Sequence, residues 1–142
     1  MLDLLPGINS TTAALNAERI RLDVVGQNIA NLNTVHGPDG RPYQRQQVVF
    51  ETLLQTASDG AGAAPQSVTV ARIERDHRPP RMIYEPGHPD AGPDGMVAMP
   101  DINMAEEMVD LIAASRAFEA NLAVMKNARS LAIQTLSIGK RS

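Results

Sequence analysis

Each of the three histidines of this chain lies within three residues of an aspartate, in the pairs His36–Asp39, Asp76–His77 and His88–Asp90. Imidazole and carboxylate groups together can bind zinc or a harder divalent cation. All three pairs lie in turn-like sequence, however, and none has the HxxxH or DxDxDG spacing with which metal ligands are usually presented. We therefore expect histidines exposed to solvent in loops, with no metal and no other cofactor.

Arginine recurs at every third position of one stretch, at Arg72, Arg75, Arg78 and Arg81. A basic row of this kind could bind phosphate. Glu74 and Asp76 lie between these arginines, and Pro79-Pro80 prevents a continuous helical face. The net charge of -3 gives no general attraction to nucleic acid either. We expect a polar rim that pairs with acidic neighbours in an assembly, and no nucleic acid as a partner.

The sequence contains none of the common catalytic motifs. It has no GxSxG nucleophile elbow, no phosphate-binding loop and no GxGxxG motif. It also has no cysteine, which removes thiol catalysis, disulfides and cysteine-ligated zinc sites. We predict a protein that is not an enzyme and has no small-molecule substrate.

Length and composition indicate one domain with a modest core. The chain has 142 residues but only two Phe, two Tyr and no Trp, which argues against a large aromatic core. No apolar run approaches the length of a bilayer span. The first residues lack the positive region and cleavage pattern of a secretory signal, so we do not expect secretion by the signal-peptide route.

The longest regular stretch is Asn103 to Ile138, which contains 36 residues without Gly or Pro. Asn103 and Glu106 have the spacing of a capping box at the start of a helix. Such a helix is roughly 54 Å long and needs a long partner to lie against. Its apolar stripe is formed by Met104, Met108, Leu111, Phe118, Leu122, Met125 and Leu136.

A second amphipathic stretch lies near the start of the chain. We predict that Pro6-Gly7 acts as a breaker, that Asn9 or Ser10 caps the helix, and that the helix continues to about Leu32. Its stripe contains Leu15, Leu22, Val25, Ile29 and Leu32, largely at heptad spacing. A packed surface helix is one interpretation, but two stripes at opposite ends of the chain favour mutual pairing as coiled-coil strands.

Between the helices the sequence predicts turns and short strands. The predicted strands are Tyr43–Leu54, Ser67–Glu74 with a slip near Ala71, Arg81–Tyr84 and Met96–Met99. The segment 57–66 is rich in Ala and Gly and is expected to be a mobile tip. The fold class is therefore α+β, with paired long N- and C-terminal amphipathic helices and a small central β region. We place the divisions at residues 1–34, 35–101 and 102–142.

Five blocks of this sequence resemble one known family. Residues 22–31, LDVVGQNIAN, are similar to the N-terminal signature of the axial proteins of the bacterial flagellum, which form its rod, hook and filament. The blocks GPDGRPY (37–43), YEPGHPD (84–90), GMVAMP (95–100) and EMVDLIAASRAFEAN (107–121) narrow the resemblance to the proximal-rod proteins of the basal body, over nearly the whole chain. The signature residues are Asn28, Asn31, Gly37, Pro38, Gly40, Tyr43, Tyr84, Pro86, His88, Pro89, Asp90, Glu107, Met108, Ser115, Arg116 and Asn121.

The resemblance implies a structural subunit that polymerises helically into the shaft between motor and hook, transmits torque, and is needed for flagellum assembly and motility. It implies export by the flagellar type III apparatus without a cleaved signal peptide, and a place in the rod across the periplasm. The implied partners are further copies, the rod proteins FlgB, FlgF and FlgG, and FliE. We expect the two helical stripes to complete their burial against neighbouring copies. The alternative is a stand-alone helical adaptor in a closed complex.

Overall fold

The computed structural model describes residues 5–53 and 67–139, which form two long helices and two small antiparallel sheets. The elements are α1 (Leu5–Ala30), β1 (Gln46–Leu53), β2 (Ser67–Arg75), β3 (Arg81–Tyr84), β4 (Met96–Met99) and α2 (Met104–Gly139). The predicted α+β class is confirmed. The predicted tip at 57–66 lies outside the described residues, and within the described part no helix is long and apolar enough to cross a membrane.

The two helices pack against each other in opposite directions. Arg21 contacts Asp110, with 3.4 Å between Nη2 and Oδ1. Asn28, two turns further along α1, contacts Glu107, one turn earlier on α2, with 2.9 Å between Nδ2 and Oε2. Because residue numbers rise on α1 while they fall on α2, the pair is antiparallel. The mutual pairing predicted from the two apolar stripes is therefore confirmed.

Small residues are among the buried positions of both helices. Ala17 and Val24 on α1 and Ala114 on α2 are all buried. On α2 the inward positions follow the alternating spacing of three and four residues that is typical of a coiled coil. These positions are Glu107, Leu111, Ala114, Phe118, Asn121, Met125, Ala128 and Ala132, all of them buried or half-buried.

The predicted stripe residues divide between the seam and the surface. Leu15 and Val25 are buried, and Leu22, Ile29, Leu32, Leu111, Phe118, Leu122 and Met125 are half-buried. Met104, Met108 and Leu136 are exposed instead. In the first turn of α2 the predicted apolar stripe therefore does not face α1. Met104 and Met108 are exposed there, and Glu107 occupies the inward position.

The predicted start of α1 is wrong, and its end lies two residues before the predicted one. Pro6-Gly7 does not break the helix, because Pro6 lies in its first turn, where a backbone N–H has no partner to lose. Asn9 and Ser10 accordingly lie inside the helix and do not cap it. At the other end the helix stops at Ala30, and a turn follows in which the Thr34 N–H donates to the Asn31 carbonyl.

The start of α2 agrees with the predicted cap. The Asn103 Oδ1 accepts a hydrogen bond from the Ala105 N–H at 3.0 Å. The Glu106 Oε1 accepts from the Asn103 Nδ2 at 3.2 Å, so the returning contact of the capping box goes to the side chain of Asn103 and not to its backbone.

The strands form two antiparallel pairs, of which β1–β2 packs against α1. In the β1–β2 hairpin Val49 pairs with Arg72 and Phe50 pairs with Val70, which leaves Ala71 as a bulge and confirms the predicted slip. β1 starts at Gln46, later than predicted. β3 and β4 have the predicted bounds, and Val97 of β4 and Ile102 beyond it are both buried.

Candidate functional site

Asn28, near the end of α1, is fully buried and uses both ends of its side-chain amide. Its Nδ2 donates to the Gln46 carbonyl at 2.8 Å and to the Glu107 Oε2 at 2.9 Å. Its Oδ1 accepts from the Gln46 N–H at 2.9 Å and from the Tyr43 hydroxyl at 3.1 Å. The amide therefore pairs with both backbone groups of Gln46, much as a neighbouring strand would, and joins α1 to the start of β1 and to α2.

Glu107 is the second fully buried polar residue of this cluster. Its Oε2 accepts from Asn28, and its Oε1 accepts from the Arg45 Nε at 2.6 Å. The Arg45 side chain is itself only 16% exposed. A buried carboxylate is tolerated when a positive partner and hydrogen bonds satisfy both oxygens, and this one has both.

The network continues from Arg45 to the surface of the helical pair. The Arg45 Nη2 lies 3.5 Å from the Asp110 Oδ2, and the Arg21 Nη2 of α1 lies 3.4 Å from the Asp110 Oδ1. These contacts are longer and more exposed than the buried contacts of Asn28 and Glu107, so they contribute less to stability. We call the whole set the polar lock, formed by Arg21, Asn28, Tyr43, Arg45, Gln46, Glu107 and Asp110.

Tyr43 closes the lock on the loop side. Its hydroxyl donates to the Asn28 Oδ1, and its ring is half-buried. Burial raises the pKa of the Tyr43 phenol above its ordinary value, the negative charge of Glu107 raises it further, and Arg75 acts in the opposite direction. The phenol is therefore held in its neutral, hydrogen-bond-donating form.

The geometry of the lock is that of a structural joint and not of a reactive centre. Each side-chain oxygen of Glu107 and Asn28 already accepts at least one hydrogen bond within the lock. Among residues 5–53 and 67–139 no three His, Cys, Asp or Glu side chains come together as metal ligands. A fully satisfied buried network of this kind fixes one relative placement of the elements that it joins.

Other signature residues lie in the turns that flank the lock. Gly40 has a φ of 69°, which favours glycine, and its N–H donates to the Gly37 carbonyl at 2.9 Å. Asp90 Oδ2 lies 3.5 Å from the His36 Nδ1 and 3.7 Å from the His88 Nδ1, which joins this turn to the β3–β4 loop. The turn and loop also contain Pro38, Pro86 and Pro89.

The remaining signature residues lie outside the lock. Tyr84 is exposed at the end of β3, where its ring lies against Gly95, and Asn31 donates to the Gln27 carbonyl at 2.8 Å. The others are spread along α2: Met108 and Arg116 are exposed, and Ser115 and Asn121 are half-buried. Of the sixteen signature positions, three belong to the lock: Asn28 contacts both Tyr43 and Glu107.

Three members of the arginine row pair with acidic residues of the same chain, and the predicted pairing with neighbours in an assembly stays a prediction. Arg72 contacts Glu74 at 2.6 Å, Arg75 contacts Asp39 at 3.6 Å, and Arg78 contacts both Asp76 at 2.7 Å and Asp101 at 3.2 Å. The hydrogen bond from the Arg78 side chain is the main reason that the pKa of Asp76 lies below its ordinary value. These pairs are largely exposed, so each contributes little to stability.

The sequence reasoning missed Arg21, Arg45, Gln46 and Asp110 of the lock. One signal was available: Glu107 and Asp110 are carboxylates three residues apart on a helix whose neighbours on that side are apolar. Carboxylates in such a position need a cation from elsewhere in the chain. Which arginine supplies it is set by the path of the loop before β1, and spacing alone does not reveal that path.

Comparison with known proteins agrees with this arrangement. The family described as "Flagella basal body rod protein" matches residues 8–37, which contain most of α1 and its turn. The family described as "Flagellar basal body rod FlgEFG protein C-terminal" matches residues 94–138, which contain β4 and nearly all of α2. Both helices of the paired core are thus flagellar rod segments.

Whole-chain relatives are more specific. The flagellar basal-body rod protein FlgC of Borreliella burgdorferi is 39% identical and covers 95% of this chain and 97% of its own length. The chain belongs to the FlgC family of flagellar basal-body rod proteins. FlgC of Yersinia enterocolitica is 41% identical, covering 90% of this chain and 92% of its own. FlgC of Bacillus subtilis is 33% identical, and the match covers 94% of this chain and 96% of that protein.

Membership of the FlgC family makes this chain a structural subunit of the flagellar basal-body rod. The resemblance found in the sequence is confirmed, and the alternative of a stand-alone adaptor is not favoured. The relatives are named as rod proteins, and no catalytic activity is indicated for them. The polar lock is accordingly best understood as a mechanical feature of a FlgC-family subunit.

We predict that Glu107→Gln lowers the free energy of unfolding by about 3 kcal/mol. The neutral amide offers one acceptor where the carboxylate offers two, so its NH₂ group must face a donor of Asn28 or Arg45, and the buried guanidinium loses its charge partner. Urea unfolding of the purified chain measures the change. The matched control is Glu106→Gln, an exposed neighbour, which should cost about 0.5 kcal/mol; equal losses in the two variants would contradict the lock.

A second prediction concerns alkaline pH. Because the folded-state pKa of Tyr43 is raised, its stabilising contribution is complete below the ordinary value of 10.0 and is lost as pH rises through the folded-state pKa. Tyr43→Phe should cost about 1 kcal/mol at neutral pH and should flatten the loss of stability above about pH 10. Urea unfolding across this range gives both numbers. Tyr84→Phe, at an exposed tyrosine, is the control and should leave the profile unchanged.

Proposed function

We propose that this FlgC-family subunit polymerises helically with copies of itself to form the proximal rod, the shaft that transmits motor torque to the hook. The observation that carries the proposal is the apolar surface that α2 leaves exposed. Nine large apolar side chains of this helix are between 49% and 72% exposed: Met104, Met108, Val109, Ile112, Val124, Leu131, Ile133, Leu136 and Ile138.

An apolar surface of this extent favours assembly over a free monomer. Burying one such side chain contributes roughly 1.5–3 kcal/mol, so five or six contribute about 8–15 kcal/mol before the cost of ordering is subtracted. Exposed patches of this kind mark interaction sites in soluble proteins. A screw relation between copies buries the patch repeatedly and produces an open shaft.

Of the interface residues predicted from the sequence, those that remain exposed are the best candidates to face a neighbour: Met104, Met108 and Leu136. Leu15 and Val25 are buried within the subunit and so stabilise the subunit itself. The half-buried positions of the stripe, such as Leu122 and Met125, can serve both purposes.

The polar lock suits a part that carries torque. It connects both ends of the chain to the first residue of β1, so a force on the β region reaches the helical core through buried hydrogen bonds. In this proposal residues 1–34 and 102–142 form the axial core, and residues 35–101 form the β region outside it. A rigid joint between the two parts limits the energy lost to bending within each subunit.

Membership of the family also suggests binding partners and a route of export. We propose contacts with FlgB, FlgF and FlgG in the rod and with FliE at its base, and export through the flagellar type III apparatus without a cleaved signal peptide. The rod position places the subunit across the periplasm. The exposed surface of α2 is long enough to serve more than one neighbour, which fits a subunit with several kinds of partner.

The assembly proposal predicts that Val124→Asp abolishes motility while the subunit stays folded. Val124 is exposed in the single chain, so the fold loses little, but a charge buried between copies would have no partner. Motility and the yield of basal bodies are measured in cells whose only copy of the gene carries the change, and circular dichroism tests the fold.

Ser130→Asp is the matched control, because it adds the same charge at an exposed polar position of the same helix. It should leave motility largely intact. Normal swimming with Val124→Asp would contradict the proposal. A small closed particle in negative-stain images of the concentrated wild-type protein would support the adaptor instead.

A further inference from the structure

The inward face of α2 repeats itself from one heptad to the next. One place of the seven-residue repeat is buried or half-buried in four successive heptads: Glu107, Ala114, Asn121 and Ala128. The other inward place is half-buried in each of them: Leu111, Phe118, Met125 and Ala132. A helix with this repeat presents a similar face after a shift of one heptad, which is about 10.5 Å. Packing of inward side chains alone therefore offers α1 more than one register.

The lengths of the helices do not choose between these registers. α2 has 36 residues and α1 has 26, a difference of ten. A shift that brings Ala114 to the place of Glu107 uses seven of those ten residues, so α1 keeps a partner along its whole length. Among the described elements the β3–β4 pair packs against neither helix, so it can move with the start of α2.

The polar lock distinguishes the two registers. Glu107 is the one charged residue among the eight inward positions, and its oxygens accept from the Asn28 Nδ2 at 2.9 Å and the Arg45 Nε at 2.6 Å. In the shifted register Ala114 takes this place, and its methyl group accepts no hydrogen bond. Arg45, whose side chain is only 16% exposed, then lies without a charge partner. The observed register alone satisfies both groups.

We propose that the pairing of Glu107 with Arg45 selects one register of α2 against α1, while the apolar seam supplies most of the stability. A buried polar group at an inward position has this effect in coiled coils, where a single Asn fixes the register at a cost in stability. Because Arg45 belongs to the loop before β1, the selected register also sets where α2 lies relative to the β1–β2 pair.

This inference deepens the proposed function and rests on it for its consequence. A helical shaft repeats one screw operation, so every copy must have the same shape. A copy in the shifted register would displace α2 by about 10.5 Å relative to α1 and would not fit the lattice. Register selection would therefore supply the uniform subunits that such a shaft requires.

Ile102 is the rival determinant of the register. It lies just before α2 and is 3% exposed, so a shift of the helix would remove it from its buried place. If apolar burial at this point set the register, loss of the Ile102 side chain would release α2, and loss of the ion pair would not. The experiment compares these two losses.

Distances between spin labels measure the register, and the chain has no cysteine of its own to interfere. Asp23→Cys on α1 and Arg129→Cys on α2 place one nitroxide on each helix at exposed positions and leave the net charge unchanged. Double electron–electron resonance on the full chain, diluted with unlabelled chain, should give one distance. A shift of one heptad, with Ala114 at the place of Glu107, should shorten it by up to about 10 Å.

In the variant Arg45→Met with Glu107→Leu we expect a second, shorter distance beside the first. Helix content by circular dichroism and the urea midpoint should stay close to those of the wild type, because an apolar pair replaces a buried ion pair. Ile102→Ala should keep the single distance. Arg72→Met with Glu74→Leu removes an exposed ion pair of 2.6 Å and is the matched control, which should also keep it.

A single, unchanged distance in the folded Arg45→Met, Glu107→Leu variant would overturn the inference, and so would a second distance in Ile102→Ala alone. If that variant loses helix content, Arg45→Met with Glu107→Met repeats the test with a more adaptable side chain. Loss of the fold in both would overturn the inference too, because the pair would then be needed for stability. The dissolved subunit is measured, so any of these results leaves the proposed function intact; the motility of Val124→Asp tests that function separately.

Discussion

The structure depends on one buried carboxylate. Glu107 lies at the first inward position of α2, where an apolar residue would be the ordinary choice, and its two oxygens are held by the Asn28 amide and the Arg45 guanidinium. A charge in that place is costly when any partner is missing, so α1, the loop before β1 and α2 must all be in position together. The lock thereby holds α1, α2 and the start of β1 in one fixed arrangement.

The apolar residues of α2 serve two different surfaces. Ala114 on the inner face permits close approach of α1, while Val109, Val124 and Leu131 face outward and stay exposed. A protein that worked alone would expose far less apolar surface on its longest helix. The inner face explains how the subunit holds its shape, and the exposed apolar residues are the ones that we propose pack against neighbouring copies.

Much of this architecture could be predicted from residue pattern, and the failures have physical reasons. The bounds of β3, β4 and α2 follow from turn-forming and capping residues, which can be recognised in the sequence itself. The start of α1 was missed because Pro6 disfavours a helix interior yet suits a first turn. The lock was missed in part because its cation, Arg45, comes from a loop whose path depends on tertiary contacts. Apolar periodicity cannot reveal a polar residue at an inward position.

If the lock holds the helices and the start of β1 together, these three parts should unfold locally as one unit. Native-state hydrogen exchange of the Gln46 amide, which donates to the Asn28 Oδ1, measures this most directly. We expect it to open with the same free energy as the amides around Val25 of α1 and Ala114 of α2. Exchange of the Gln46 amide far faster than that of both helices would show that β1 opens independently, and would contradict the account.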